Sequence, residues 1–360
     1  MAYSLSVIER MDEQKEQRAT PPDKLIKKWG HALLERFRIN TSPVVKVYNG
    51  FGTAAHMEIT GQVFHWSPRK QEKFSSRFYK NTLSLLRLFL VKPFRKAEVV
   101  VHWNDQQMTA VTDDTGHFHA IWKPEGHVSE GWHDIKATLC LDKQNTIIGA
   151  GQLLVPPPTK FAIASDIDDT FLVSHSSDIV RRLYVLLTRN ARTRRPFADA
   201  AEHYQLLAQG DDDGRDRPVF YVSSSEWNLY DYIREFVHNY QLPDGVYLLS
   251  PLKQLHEFWR SGHGKHKTKY DRIARLLNTY PERQFILLGD DSQEDPNIYS
   301  KLVADFPGRI IVVYLRHVSK SKLAATRVQE EAIKAAGVEI CYFTYSKTAI
   351  IHSRKMGLIK

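Results

Sequence analysis

KFAIASDIDDT, at residues 160–170, decides the fold of the second half of the chain. Its apolar run at 161–164 is followed directly by three carboxylates, those of Asp166, Asp168 and Asp169. A short apolar run that ends in acidic residues is typical of a buried parallel strand with chemistry at its C-terminal end. In open α/β sheets, ligands bind at the carboxyl ends of the strands. The stretch therefore predicts a parallel α/β sheet with a functional site where this strand ends.

The clustered carboxylates predict a divalent cation together with acid–base chemistry. Carboxylates this close repel each other, and Mg²⁺, which binds a few carboxylates and keeps several waters, fits them best. Asp166 and Asp168 are two residues apart, so their side chains point the same way on an extended strand end. One is suited to attack a phosphorus atom, and the other to protonate the leaving oxygen and then to activate water. The alternative is a solvated acidic turn or a helix cap, in which Asp and Thr are common.

A second strand that ends in hydroxyl groups is predicted within residues 218–232, PVFYVSSSEWNLYDY. Its apolar run at 219–222 is followed by Ser223, Ser224 and Ser225. Hydroxyls and backbone N–H groups at a strand end are suited to hold a phosphoryl oxygen. This stretch therefore predicts the phosphate-binding part of the same site.

A third strand that ends in acids is predicted within residues 284–299, QFILLGDDSQEDPNIY, where Asp290, Asp291 and Asp295 follow the apolar run. Before it, the basic run HGKHKTK at 263–269 precedes a helix predicted over 270–277. A lysine at this place is suited to neutralise the attacking aspartate and the transferring phosphoryl group. These two stretches complete a set of four signals that favours a phosphatase over an acidic turn.

The four signals, in this order, resemble the haloacid-dehalogenase-like phosphatase superfamily. More narrowly, DIDDT, YVSSSEWNLYDYI, LLGDDSQEDPNIY and FPGRIIVVYLRHV resemble the catalytic domain of the actin-patch type of Mg²⁺-dependent phosphatidate phosphatase and its bacterial relatives. The resemblance covers residues 159–360. It implies a Rossmann-like α/β domain that hydrolyses phosphatidate to diacylglycerol and phosphate through an aspartyl phosphate.

The resemblance also implies a role for each matching residue. Asp166 matches the nucleophile, Asp168 the general acid and base, and Lys269 the catalytic lysine, with Lys267 as its rival. The implied phosphate-binding residues are Thr170, Ser223, Ser224 and Lys267. The implied metal ligands are Asp166, Asp168, Asp290, Asp291 and Asp295. The division of metal binding among the last three stays open from the sequence.

The first half of the chain has a different pattern. Residues 1–42 are predicted to be a tail with an amphipathic helix at 22–38. Residues 43–156 contain short alternating runs separated by turn residues, which is the pattern of an antiparallel β-sandwich with a helical insert at 69–91. The three prolines at 156–158 form a stiff linker, so the phosphatase domain is predicted at 159–360.

Composition bounds the setting in which the protein acts. The 360 residues contain only two cysteines, which excludes a disulfide framework and favours a reducing, cytoplasmic compartment. The polar first residues predict no signal peptide, and no apolar run in the sequence is long enough to predict a span of a bilayer. The net charge of +9 and the arginine-rich stretch 181–195 favour peripheral contact with an anionic membrane surface.

Three other functions remain open from the sequence. The same catalytic set is compatible with a soluble phosphomonoester as substrate. A non-enzymatic membrane or partner-binding scaffold is opposed by the clustered carboxylates, which a scaffold does not need. Nucleic-acid binding through the basic surface is the third and is not expected; a steep fall of DNA or RNA affinity with salt concentration would indicate it.

Overall fold

The computed structural model describes residues 39–40, 42–68, 92–141, 145–167, 199–210, 214–250 and 265–360, and the structural statements below concern these residues. Several predictions from the sequence lie outside them. These are the amphipathic helix at 22–38, the helical insert at 69–91, the arginine-rich stretch at 181–195, and the candidate site residues Asp168 and Thr170.

The N-terminal part is a sheet of short strands, most of which pair antiparallel. Its strands are β1 (Ile39–Asn40), β2 (Val44–Val47), β3 (Gly50–Thr53), β4 (His56–Pro68), β5 (Lys92–Pro93), β6 (Glu98–Trp103), β7 (Gln106–Val111), β8 (His117–Trp122), β9 (Gly131–Cys140) and β10 (Thr146–Val155). β3 and β10 pair parallel. Along β6 the residues Val99, Val101 and Trp103 are buried in one core, as the period of two in the sequence predicts.

The C-terminal part is built on a parallel sheet with helices, which confirms the α/β class and the parallel sheet predicted for it. The strands are β11 (Phe161–Ser165), β12 (Val219–Glu226), β13 (Val246–Ser250), β14 (Gln284–Asp290), β15 (Ile310–Arg316) and β16 (Glu339–Phe343), arranged in the order β13-β12-β11-β14-β15-β16. All five pairings are parallel. The helices are α1 (Ala200–Gln209), α2 (Tyr230–Asn239), α3 (Lys265–Thr279), α4 (Asp295–Asp305), α5 (Leu323–Ala335) and α6 (Ser346–Lys355).

Helices cover both faces of the parallel sheet, which is why its strands are continuous apolar runs. Residues of α1, α2 and α6 belong to one hydrophobic core, and residues of α3, α4 and α5 belong to the other. Along β11, Ile163 enters the first core and its neighbours Ala162 and Ala164 enter the second. No helix in the described ranges is both long enough and apolar enough to cross a membrane.

The strand order of the parallel sheet reverses direction between β11 and β14. From β11 the chain passes to β12 and β13 on one side, and then returns to β14 on the other side. The carboxyl ends of the strands that flank such a reversal are where open α/β sheets bind ligands. Asp166 follows β11 and Asp290 ends β14, so the sheet brings two of the predicted site residues to this place.

Two element boundaries and one whole strand differ from what the sequence predicts. β12 continues through the serines to Glu226, with a register shift between Val222 and Glu226 that keeps the strand paired. α3 begins at Lys265, so the last five residues of the basic run are helical. The edge strand β13 was not predicted, because its short run carries no residue suited to chemistry.

The N-terminal sheet completes the cores of the α/β domain. Phe51 of β3 is 1% exposed and belongs to the core that contains α3. The ring of Tyr48 stacks on the ring of Trp227, with centroids 4.3 Å apart. At the linker, the guanidinium of Arg283 donates to the carbonyl oxygens of Pro156 and Pro157 at 3.2 and 2.6 Å. The two parts of the chain therefore share packed interior.

Candidate active site

Three buried carboxylates meet at the carboxyl ends of β11 and β14. Asp166, Asp290 and Asp295 are at most 2% exposed, and each offers an oxygen within 4.8 Å of the others. The backbone N–H of Asp166 donates to the carbonyl of Leu288 at 2.8 Å, which ties the end of β11 to β14. Asp295 begins α4, so the turn after β14 returns its side chain to the end of the strand. Residues distant in sequence thus form one acidic cluster.

Lys269, on α3, lies between two of these carboxylates. Its Nζ is 2.8 Å from Asp166 Oδ1, and it also donates to Asp295 Oδ1. Burial by itself would lower the pKa of Lys269, but the two ion pairs outweigh burial and raise it above its ordinary value. The lysine is therefore cationic at neutral pH and holds the predicted nucleophile in place. The rival, Lys267, lies in the first turn of α3.

Gly289 allows the cluster to form. A Cβ atom at this position would lie 2.5 Å from Asp295 Oδ2 and 2.7 Å from a ring carbon of Tyr299. Tyr299 cannot move aside easily, because it is fully buried and its hydroxyl donates to the carbonyl of Leu288 at 2.7 Å. The glycine in the sequence GDD is thus required by the close approach of Asp295 to the end of β14.

The chemistry of the cluster fits Mg²⁺. When ionised, its three carboxylates carry more charge than the ammonium of Lys269 alone offsets, in a site almost without solvent. Arg272 near Asp166 and Arg316 near Asp290 offset part of the remainder. Buried charge is costly unless it is compensated by an ion pair or a bound metal. Carboxylate oxygens are the ligands that Mg²⁺ prefers. A divalent cation among Asp166, Asp290 and Asp295 would balance this charge.

Asp291 lies outside this cluster. Its Oδ1 accepts from the backbone N–H groups of Val318 and Ser319 at 2.7 and 2.8 Å. Its Oδ2 accepts from His317 Nδ1 and from the hydroxyl of Tyr342, both at 2.6 Å. A carboxylate has about four acceptor positions, and these four donors use them. Asp291 therefore fixes the loop after β15 by these hydrogen bonds, and it stands next to the candidate metal ligand Asp290 in the chain.

The serines predicted to bind phosphate are buried at the end of β12, next to β11. Ser223 is fully buried and Ser224 is 7% exposed. The Oγ of Ser223 accepts from the backbone N–H of Ser225 at 2.9 Å, which curls the strand end toward its own side chain. The pairing of β12 with β11 brings these hydroxyls to the same sheet edge as Asp166.

Three side chains around the cluster were missed by the sequence analysis, those of Ser165, Tyr204 and Arg272. Ser165 Oγ donates to the carbonyl of Asp166 at 2.7 Å and is 2.6 Å from the hydroxyl of Tyr204, whose pKa burial raises. Arg272 lies three residues after Lys269 on α3, and burial lowers its pKa to about 10. The spacing of three residues from Lys269 on a helix could have indicated that Arg272 also lies near the cluster. Tyr204 had none, because it lies far from every motif.

Comparison with known proteins agrees with this site. Residues 161–317 match the sequence model of the catalytic domain of phosphatidate phosphatase APP1. The second half of the chain resembles the APP1 type of phosphatidate phosphatase. This confirms the narrower of the two resemblances noted in the sequence, and the matched range contains Asp166, Lys269, Asp290 and Asp295.

Two curated fungal proteins match just under half of this chain. Phosphatidate phosphatase APP1 of Saccharomyces cerevisiae is 23% identical over 176 residues, which is 49% of this chain and 29% of that protein. An uncharacterized protein of Schizosaccharomyces pombe is 24% identical over 162 residues, which is 44% of this chain and 25% of that protein. The match thus spans less than a third of the length of either relative.

One solved structure superposes on much of the chain at low similarity. A carbohydrate acetylesterase from Xanthomonas citri has 9% sequence identity and a TM-score of 0.28, with 82% of this chain and 75% of that chain covered. A likeness at this level carries no argument about fold or function.

Proposed function

We propose that the chain is a Mg²⁺-dependent phosphatase that hydrolyses phosphatidate to diacylglycerol and phosphate. The observation that carries this proposal is the ion-paired Lys269 between Asp166 and Asp295, beside Asp290, at the reversal of strand order. The APP1-type resemblance of residues 161–317 supports the substrate. We also assign the domain to the haloacid-dehalogenase-like fold, and the strands of residues 43–156 to a β-sandwich.

In the proposed reaction, an Asp166 oxygen attacks the phosphorus and the bond from phosphorus to the diacylglycerol oxygen breaks. Asp168 donates a proton to that leaving oxygen. Asp168 then takes a proton from a water molecule, which attacks the aspartyl phosphate and releases inorganic phosphate with a free Asp166 carboxylate. Each proton and each bond is thereby accounted for by two aspartates and one water.

The other residues hold charge in place during this reaction. Lys269 keeps the carboxylate of Asp166 aligned and offsets the negative charge of the transferring group. Ser223 and the neighbouring backbone N–H groups bind the phosphoryl oxygens. Asp166, Asp290 and Asp295 would hold Mg²⁺, which when bound neutralises developing charge on the phosphoryl oxygens. We further propose that the chain acts in the cytoplasm, at the surface of an anionic membrane that contains the substrate.

The proposal is tested by phosphate release from phosphatidate in mixed micelles and from a panel of soluble phosphomonoesters. Each substrate is assayed with Mg²⁺ and with EDTA, for the wild type and for Asp166→Asn. We expect Mg²⁺-dependent release from phosphatidate that falls about a thousandfold or more in the variant, because the nucleophile is lost. Asp244→Asn, at an exposed position before β13, is the matched control and should retain activity.

Two outcomes would change the conclusion. Release only from soluble esters would keep the chemistry and discard the lipid substrate. Wild-type activity in Asp166→Asn would reject the mechanism itself.

A further inference from the structure

A buried carboxylate of the N-terminal sheet is paired with the helix that carries Lys269. Glu58, on β4, is 3% exposed. Its Oε1 accepts from Arg275 on α3 and from His119 Nε2, both at 3.0 Å. Burial raises the pKa of Glu58, but the hydrogen bond from His119 and the positive charge of Arg275 outweigh burial and lower it overall. The carboxylate is therefore ionised at neutral pH.

One carboxylate oxygen of Glu58 is buried without a hydrogen bond in the described part of the chain, which costs stability. Its second oxygen, Oε2, is buried and has no hydrogen-bond partner among the described residues, and His56 Nε2 lies 3.7 Å away. A buried acceptor without a hydrogen bond destabilises the folded state. A cost of this kind is expected where the position of a group matters more than the stability that it contributes.

Arg275 lies six residues after Lys269 on α3, about 120° further around the helix. Lys269, Arg272 and Arg275 follow each other at intervals of three residues, so they occupy neighbouring positions on the helix surface. Arg272 donates to the carbonyl of Leu248 on β13 at 3.2 Å. These three side chains of α3 thus contact the candidate site, the edge of the parallel sheet and the N-terminal sheet in succession.

The C-terminal end of α3 is fixed to the same sheet by further contacts. The hydroxyl of Tyr280, which follows the helix, donates to the carbonyl of Gly52 at 3.3 Å. The ring centroid of Phe51 lies 6.3 Å from that of Tyr280, and the guanidinium of Arg275 lies 5.9 Å from the ring of Phe51. These contacts and the Glu58 pair together restrict both the sliding and the rotation of α3.

We infer that the N-terminal sheet positions the catalytic lysine, with Glu58 as the positioning residue that acts through Arg275 and α3. Lys269 must meet two carboxylates at once, so its ammonium tolerates little movement of the helix. A displacement of about 1 Å in a catalytic group can lower the rate about a hundredfold. The inference rests on the proposed function for its kinetic consequence, but the anchoring of α3 is independent of it.

A second ion pair between the two parts of the chain supplies the matched control. Lys46 Nζ is 2.8 Å from Asp231 Oδ2 on α2. Helix α2 carries none of the candidate site residues. Lys46→Gln therefore removes a contact between the same two parts without touching α3.

The experiment compares Glu58→Gln, Arg275→Gln and Lys46→Gln in the full chain. We measure kcat and KM for phosphatidate in mixed micelles, the melting temperature, and hydrogen exchange of the backbone amides of α3. In the two variants of the Glu58 pair, we expect kcat to fall about tenfold with KM within about twofold, and the α3 amides to exchange faster. In Lys46→Gln, kcat and α3 exchange should stay within about twofold of wild type.

Two further variants exclude a purely structural explanation. Glu58→Asp keeps the charge and should recover part of the lost kcat. Combining Glu58→Gln with Arg275→Gln should lower kcat no further than either change alone, because the two residues act as one unit. If Glu58→Gln fails to fold, Arg275→Gln tests the pair from a more exposed position, where the side chain is 40% exposed.

The inference is overturned if α3 exchange is unchanged in both variants of the pair. It is also overturned if kcat falls equally in Lys46→Gln at an equal loss of melting temperature, since that result would show a general effect of stability. If the wild type releases no phosphate from any substrate, the proposed function fails, but α3 exchange still decides whether Glu58 anchors the helix.

Discussion

Gly289→Ala adds a single methyl group to the candidate site. Gly289 is not among the described glycines with positive φ, so the backbone itself accepts alanine. The new Cβ would lie 2.5 Å from Asp295 Oδ2, whereas ordinary contact begins at 3.4 Å, so the carboxylate must move by about 0.9 Å (3.4 − 2.5). Asp295 is then displaced from both Lys269 and Asp290.

The size of this displacement sets the expected effects. Overpacking of a buried site costs about 1–3 kcal/mol of unfolding free energy. For a chain of 360 residues that lowers the melting temperature by about 1–4 °C. A shift of about 1 Å in a catalytic group lowers the rate about a hundredfold. We expect Gly289→Ala to lose activity far beyond what its modest loss of stability explains.

The assay is Mg²⁺-dependent phosphate release at saturating substrate, together with thermal unfolding. Gly357→Ala is the control, because Gly357 has a φ of 68° and a Cβ there meets no atom within 4 Å. The control should lose about 1–2 kcal/mol of stability to backbone strain and keep its activity. Activity within twofold of wild type in Gly289→Ala would refute the assignment of Asp295 to the site.

Two further predictions concern Asp291 and a buried histidine. Asp291→Asn should lower the unfolding free energy by about 1–3 kcal/mol, because its four donors lose a charged acceptor. The Mg²⁺ concentration that gives half-maximal activity should stay within about twofold of the wild-type value. Asp290→Asn should raise that concentration at least about tenfold, and an equal rise in both variants would place Asp291 among the metal ligands. His203 is buried and its pKa is lowered from 6.5 to about 3, so between these pH values the unfolded chain binds a proton that the folded chain does not. The unfolding free energy should therefore fall on acidification, by up to about 1.4 kcal/mol per pH unit for this residue, and should fall less in His203→Gln. Urea unfolding measures this free energy at each pH, and an equal dependence on pH in wild type and variant would contradict the prediction.

The candidate site residues that directly follow a strand were predictable from the sequence, because the apolar run of the strand and the acidic residue stand next to each other in the chain. Asp166 and Asp290 each follow an apolar run, and the ends of parallel strands meet at one sheet edge. Lys269 was identified from its place before the predicted helix and from the family resemblance. The structure brings Asp166, Asp290, Asp295 and Lys269 together at the carboxyl ends of β11 and β14.

The parts that the sequence did not reveal depend on contacts between distant residues. Nothing near Asp291 in the chain shows that its carboxylate accepts a hydrogen bond from Tyr342, 51 residues later. The pairing of Glu58 with Arg275 likewise joins two halves that the sequence analysis treated as separate. Periodicity identifies which residues are buried in an element, but it does not identify the partner across an interface.

The burial of Phe51 in the core of the α/β domain has a consequence for how this protein can evolve. Its ring fills space between Phe220 and Tyr280, so the second half of the chain does not close its own interior. Recombination that joined the catalytic half to an unrelated leading domain would leave that space empty unless the new domain also supplied a bulky apolar side chain. The two halves are therefore expected to be inherited and to diverge together, with substitutions at position 51 matched by changes in the residues around it.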